Sequence, residues 1–191
     1  MANPKKNIPV LRFPEFEGAW ETKPLSVYLS EPKERNRDME FSKGQVLSVS
    51  GELGCVNQIE HMGRSYAGVS VADYHVVRHL DVVYTKSPLK KAPYGIIKTN
   101  FGNDGIVSTL YAVYRPTASL SPSFVNHFFD FDDHLNRYLR PIVRKGAKND
   151  MKVNNTDVLR DPVTFPSLPE QQKIAAFLDA VLKKITLLTQ K

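Results

Sequence analysis

The residues with the most evident chemistry are lysines and arginines gathered in two short stretches. Residues 86–98 hold Lys86, Lys90, Lys91 and Lys98 with no acid, a local charge of +4. Residues 137–152 hold Arg137, Arg140, Arg144, Lys145, Lys148 and Lys152 against Asp150 alone, a local charge of +5. The whole chain carries +6, so everything outside these stretches is net −3. Cations concentrated in this way release counterions from phosphates, which makes a polyanion-binding face one reading. Two solvated basic loops are the other.

Catalytic constellations are hard to find. The chain lacks a glycine-rich dinucleotide fingerprint, a phosphate loop ending in Gly-Lys-Ser/Thr and a Gly-x-Ser-x-Gly elbow. Cys55, the single cysteine, lies between Gly54 and Val56 and reads as a small core residue more readily than as a nucleophile. His75 and His79 are four apart, but they fall in or beside a strand-like run, and no further ligand set completes a metal site. Glu21-Thr-Lys23 resembles the second half of a nuclease site without an upstream aspartate, because the first aspartate is Asp38. The expectation is a chain with no catalysis, no metal and no cofactor.

The elements that would carry the basic stretches follow from pattern. At 191 residues, with 41% hydrophobic and 10% aromatic residues, the chain can bury a core without crosslinks. One cysteine excludes an internal disulfide framework. No apolar run approaches the ~20 residues of a membrane span, and Pro9, Arg12, Pro14 and Glu15 interrupt any signal core, so a soluble cytoplasmic protein is expected. The first twenty residues read as an extended lead-in with Phe13, Phe16 and Trp20 as anchors, followed by a short helix from Pro24 to before Pro32 and a polar loop over 31–44.

Runs rich in Val, Ile, Tyr and Thr then predict strands at 45–50, 74–77, 82–85, 94–98 and 110–115. Ser121-Pro122 predicts a helix start, a second helix is expected over 133–142, 144–155 reads as a loop, and 163–165 as a last strand. Ser167 and Glu170 have capping-box spacing. Beyond them Ile174, Leu178, Val181, Ile185 and Leu188 recur with a period of 3.5, an apolar seam along one helix face. Phe177 and Leu182 widen it. Such a seam packs on its own domain or on a partner helix. The fold class expected is α+β: a curled, mostly antiparallel sheet, a few helices and a projecting C-terminal coiled-coil helix.

With these residues laid out, the chain resembles half of a type I restriction–modification specificity subunit. The resemblance starts at Pro9-Val-Leu-Arg-Phe-Pro-Glu-Phe16 and Trp20 and continues through Leu80-Asp-Val-Val-Tyr84, with Leu80 or His79 standing where a glycine is usual. Gly105-Ile-Val-Ser108, Tyr111-Ala-Val-Tyr-Arg-Pro116 and the loop Lys145-Gly-Ala147 with Lys148 and Asn149 follow in order. The most specific piece is Phe165-Pro-Ser-Leu-Pro-Glu-Gln-Gln-Lys-Ile-Ala-Ala-Phe-Leu178, similar to the signature that opens the family's spacer helix.

The resemblance implies a target recognition domain over 1–166 and the start of a spacer helix over 167–191. Such a domain reads one half of a bipartite site in double-stranded DNA. The helix docks methyltransferase subunits and, through them, restriction/translocase subunits, or pairs two half-subunits as a homodimer. Under it, Lys86, Lys90, Lys91, Lys98, Arg144, Lys145 and Lys148 would contact phosphates, while Ser87, Tyr94, Asn149 and Asn154 would face base edges. Ser48, Ser50 and Glu52 are further candidates. Ile174, Leu178, Val181, Ile185 and Leu188 would form the partner-helix interface. Two other readings stay open: a stand-alone DNA-modifying enzyme, although the chain has no Asn/Asp-Pro-Pro-Tyr motif, and an interaction domain that does not bind DNA.

Overall fold

Strand β6 (Val82–Thr85) is apolar at successive positions because both of its faces are covered. Val82 and Tyr84 point into one core, and Val83 points into another. The same alternation recurs on β9 (Tyr111–Pro116), where Ala112 and Tyr114 face the first core and Val113 the second. In this computed structural model, which describes residues 7–87, 92–145 and 151–189, these two strands are the middle of a four-stranded sheet. Its order is β2-β9-β6-β7, with β2 at Leu29–Ser30 and β7 at Ile96–Thr99.

Against one face of this sheet pack α2 (Pro122–Asp130) and α3 (Asp132–Leu139). Ser121 caps α2 by accepting from Phe124 N at 3.4 Å, as the Ser-Pro pair predicts. Phe165 anchors this core, with its ring 5.0 Å from Tyr28, 5.1 Å from Phe124 and 4.9 Å from Phe128. The other face carries two antiparallel ribbons: β3 (Leu47–Ser50) with β4 (Gly54–Asn57), and β5 (His75–Val77) with β8 (Gly105–Val107). A one-turn helix, α1 (Gln58–Met62), follows β4. Every pairing between named strands is antiparallel, as expected of this fold class.

Several expectations change. The helix expected from Pro24 is one 3-10 turn at Leu25–Val27, because β1 (Glu21–Pro24) pairs with β12 (Pro162–Phe165) and β2 begins at Leu29. The loop expected over 144–155 opens as a short ladder, β10 (Arg144–Lys145) with β11 (Met151–Lys152). The second helix ends at Leu139 rather than Ile142. Strands β4 and β8 and helix α1 carry no clear signal in the sequence.

The motif residues explain themselves through pairing. Arg115 donates from Nε to Asp81 Oδ1 at 3.1 Å and from Nη2 to Oδ2 at 3.1 Å, while Asp81 Oδ2 accepts from Arg78 N at 2.9 Å. Leu80, just before Asp81, sits at φ +69°, in the left-handed region that glycine fills without strain.

Helix α4 (Leu168–Thr189) leaves the domain after its first turns. Glu170, Gln171 and Ala175 are buried, and every residue from 179 to 189 is exposed. Glu170 does not serve the capping box the sequence suggests. Its carboxylate accepts from Arg12 Nε and Nη2, both at 2.7 Å, and from Trp20 Nε1 at 3.2 Å. Gln171 accepts from Ser121 N at 2.9 Å and donates to Pro166 O at 3.0 Å. The Glu-Gln pair therefore roots the helix in the domain. Glu15 pairs with Lys173 at 3.1 Å, and Phe13 meets Phe177 edge-on at 5.9 Å, so the lead-in straps the same root.

Candidate nucleic-acid interface

The first basic stretch joins two paired strands, and the second runs from the end of α3, with Arg137 and Arg140, into the β10–β11 ladder. The first leaves β6 and returns into β7. Gly95 closes it at φ +92°, in a position where a Cβ would lie 2.1 Å from Thr85 O. Lys86, the first residue after β6, donates from Nζ to Asn155 Oδ1 at 3.2 Å. Asn155 in turn donates to Glu31 Oε1 at 2.7 Å, and its carbonyl accepts from Tyr114 OH at 2.8 Å. Burial holds the Lys86 ammonium below its ordinary range; nearby Glu31 opposes that shift and Arg35 adds to it.

The second hairpin, β10–β11, is pinned by buried Val143 and Met151. Arg144 at its root is exposed and makes no ion pair among the described residues. Lys86, Arg144 and Asn154 line one open cleft of about 930 Å³, together with Met151, Asp157 and Arg160. Three of the expected contact residues are therefore gathered in one place. Lys90, Lys91, Lys148 and Asn149, and the side chain of Lys145, lie outside the described residues.

Other expected residues sit elsewhere. Ser87 is exposed and borders a smaller pocket of about 200 Å³ with Gln58, Tyr66 and Tyr111. Tyr94 is half-buried against the main core, and its carbonyl accepts from Tyr84 OH at 2.7 Å. Lys98 departs from the expectation of a phosphate contact. It is 9% exposed, and its ammonium is paired with Asp130 at the end of α2. Ser48 Oγ accepts from Gln58 Nε2 at 3.0 Å, and Ser50 Oγ accepts from Leu53 N at 3.2 Å, so both hydroxyls brace their own loops. Glu52 is exposed.

Sequence reasoning passes over Asn155, Asp157 and Arg160. Asp157 follows Asn154 by three and Arg160 follows Asp157 by three, a spacing that side chains share on a tight turn. A charge window ending at 152 leaves them out.

The cysteine and the two spaced histidines serve the fold. Cys55 is half-buried, and desolvation pushes its thiol up to about 12, which disfavours the thiolate near neutral pH. His75 is buried and held down to about 4 by burial, with Arg35 and Lys86 adding to the effect. His79 lies on a turn, its Nδ1 3.0 Å from Gly102 O. Among the described residues no group of three or more His, Cys, Asp or Glu side chains is placed to hold a metal ion.

Along α4, Ile174 and Leu178 are half-buried at the root, while Val181, Ile185 and Leu188 are 38%, 51% and 64% exposed. Among the described residues no helix is long and apolar enough to cross a membrane.

Two solved structures share the fold. The HsdS subunit from Thermoanaerobacter tengcongensis superposes with a TM-score of 0.51 at 17% identity, over 96% of this chain and 41% of that one. A chain solved in a study of complex assembly and conformational transition of the type I R-M system superposes with a TM-score of 0.60 at 18% identity, over 95% of this chain and 46% of that one. This chain thus spans less than half the length of either. No curated protein matches the sequence. The family model for the type I restriction modification DNA specificity domain matches residues 93–191, which include β7 to β12, the second basic hairpin and α4. The chain belongs to the family of type I restriction–modification DNA specificity domains.

Proposed function

We propose that this chain is a non-catalytic recognition module that reads one half of a bipartite DNA target. The observation that carries this reading is the cleft in which Lys86 and Arg144, the roots of both basic hairpins, face the same space. Two basic stretches that are separate in sequence thereby share one cleft, which Asp157 and Asp161 also line. Lys86, Lys90, Lys91, Arg144, Lys145 and Lys148 neutralise phosphates, while Ser87, Tyr94, Asn149 and Asn154 supply hydrogen-bonding edges for bases. Lys98 is left out of the set because its buried side chain is already paired with Asp130.

The domain spans residues 1–166, and the helix of residues 167–191 is its handle. Val181, Ile185 and Leu188, exposed on the projecting part of α4, dock a methyltransferase subunit and through it the restriction/translocase subunits. In a half-subunit the same face pairs two copies. The setting is the cytoplasm, where the DNA is.

The test is a salt titration of duplex-DNA binding by the chain assembled with its methyltransferase subunit. Six phosphate contacts give a log–log slope of about −5, at about −0.9 per contact. Absence of DNA affinity at low salt overturns the reading. Replacing Val181, Ile185 and Leu188 by polar residues is expected to abolish assembly while leaving the domain folded, because none of the three supports the core. Assembly that survives removes the helix face from the mechanism.

A further inference from the structure

The cleft holds a hydrogen-bonded array that the phosphate-binding role does not require. Asp157 uses both carboxylate oxygens: Oδ1 pairs with Arg160 Nη1 at 2.7 Å, and Oδ2 accepts from Asn154 Nδ2 at 2.9 Å. One acid thus orients a guanidinium and an amide, and all three side chains line the cleft beside Lys86 and Arg144. An exposed ion pair three residues apart adds little to stability, and Arg160 is 74% exposed in its side chain. Fold stability therefore gives weak grounds for the arrangement.

The backbone beneath the array is unusually well fixed. The residues form a 3-10 turn, Asp157–Leu159, whose Val158 is 0% exposed and whose Leu159 is 6% exposed. Tyr138 OH donates to Val158 O at 2.5 Å and to Asp161 O at 3.3 Å, and Asp161 O also accepts from Leu25 N at 3.0 Å. Asp157 N and Arg160 N close the turn on Asn154 O at 3.0 Å and Asp157 O at 3.2 Å. A backbone fixed in this way sets where these side chains leave the turn, and the Asp157 carboxylate then directs them, a condition for reading a hydrogen-bond pattern.

Resting on the DNA-recognition reading above, we infer that Asp157 is a positioning residue that presents Arg160 and Asn154 to base edges, with Arg160 specifying guanine. With one Nη engaged by Asp157, the guanidinium keeps its remaining N–H donors for the O6 and N7 acceptors of guanine. Asn154, with one N–H engaged, keeps Oδ1 and its other N–H, the pair that matches adenine N6 and N7.

The experiment selects duplexes from a randomised library with the chain assembled with its methyltransferase subunit. It then compares the parent with Arg160→Ala, Arg160→Lys and Asp157→Asn. The parent is expected to enrich a motif containing a guanine. Arg160→Ala loses that guanine and binds the selected duplex about ten- to a hundredfold more weakly, the worth of one good bidentate contact. Its binding to unselected duplex stays within a few-fold of the parent. Arg160→Lys does not restore the guanine, because a point charge lacks the fork. Asp157→Asn relaxes the preference at the guanine and at a second position.

Equal weakening on selected and unselected DNA would make Arg160 a phosphate contact and overturn the inference. An unchanged motif in Arg160→Ala overturns it as well. A parent assembly that binds no duplex fails at the recognition reading instead, a result distinct from loss of one base preference.

Discussion

Replacing Gly95 by alanine tests the construction of the first basic hairpin most directly. Two costs are visible. At φ +92° an L side chain enters a region that costs about 1–2 kcal/mol. The added Cβ would also lie 2.1 Å from Thr85 O and 2.8 Å from Tyr84 Cε2, so the backbone at the end of β6 has to move. Thr85 is paired with Ile96 in the β6–β7 ladder, and weakening one such hydrogen bond costs about 1 kcal/mol. The sum is about 3 kcal/mol, a substantial share of the ~5–15 kcal/mol typical of a domain. For a chain of this size each kcal/mol lowers Tm by about 2–4 °C, so thermal unfolding followed by circular dichroism is expected to shift down by about 6–12 °C. Gly51→Ala is the control. An added Cβ there meets nothing within 4 Å, and Tm is expected to hold within about 1 °C. A Gly95→Ala protein that melts within about 2 °C of the parent would refute the close approach of hairpin and strand.

Three further outcomes are expected. His75 has a folded pKa of about 4 against an ordinary 6.5, so as pH falls below the latter the unfolded chain gains a proton the folded chain resists. Stability therefore drops through that interval by about 3 kcal/mol and levels off below it; urea melts across pH measure the slope, and His75→Leu flattens it. Cys55, with its thiol pushed up to about 12, is expected to react with iodoacetamide about a hundredfold more slowly in the folded than in the urea-unfolded protein; equal rates contradict the raised thiol. In the assembled complex, Lys86→Ala reduces the salt slope of DNA binding by about 0.9, whereas Lys98→Met leaves it unchanged. A loss of slope from Lys98→Met would return that lysine to the phosphate-binding set.

What could be read from the sequence divides by the distance over which its signals act. The Ser121-Pro122 cap, the apolar run Val82–Thr85 and the period of the C-terminal helix are local patterns, and each appears where the pattern puts it. Strand β1 was invisible because its partner, β12, lies some 140 positions further on, and a four-residue strand carries little signal of its own. Strands β3 and β5 lie where the runs at 45–50 and 74–77 put them, whereas their partners β4 and β8 are held by the sheet they cover more than by their own propensity. Glu170 has local capping spacing, but a guanidinium 158 residues away takes its carboxylate. Lys98 shows the same limit at the candidate site. Charge counted along the chain places it among the free cations, while its neighbour in space is Asp130 of α2. Arg144, Lys86 and Asn154 come together as the clustering of charge suggests, whereas Arg160 owes its place to a turn the charge count does not reach.

The ribbon of β1 with β12 and the lead-in strap have a consequence for how such a chain changes over generations. Residues 21–24 and 162–165 are hydrogen-bonded neighbours, and Arg12 and Glu15 hold Glu170 and Lys173 on the adjoining helix. Everything between, from Leu25 to Asp161, is an excursion that departs from and returns to one ribbon. An exchange of genetic material with one crossover near each strand would replace the whole excursion while leaving the ribbon and the Arg12 and Glu15 strap in place, provided the newcomer also met Gln171 and Asp179 as Ser121, Ser123 and His127 do. The helix would then project from the same base whatever sequence the new excursion reads. Transplantation would then conserve most of the joint and demand of each newcomer only the few α2 contacts that complete it.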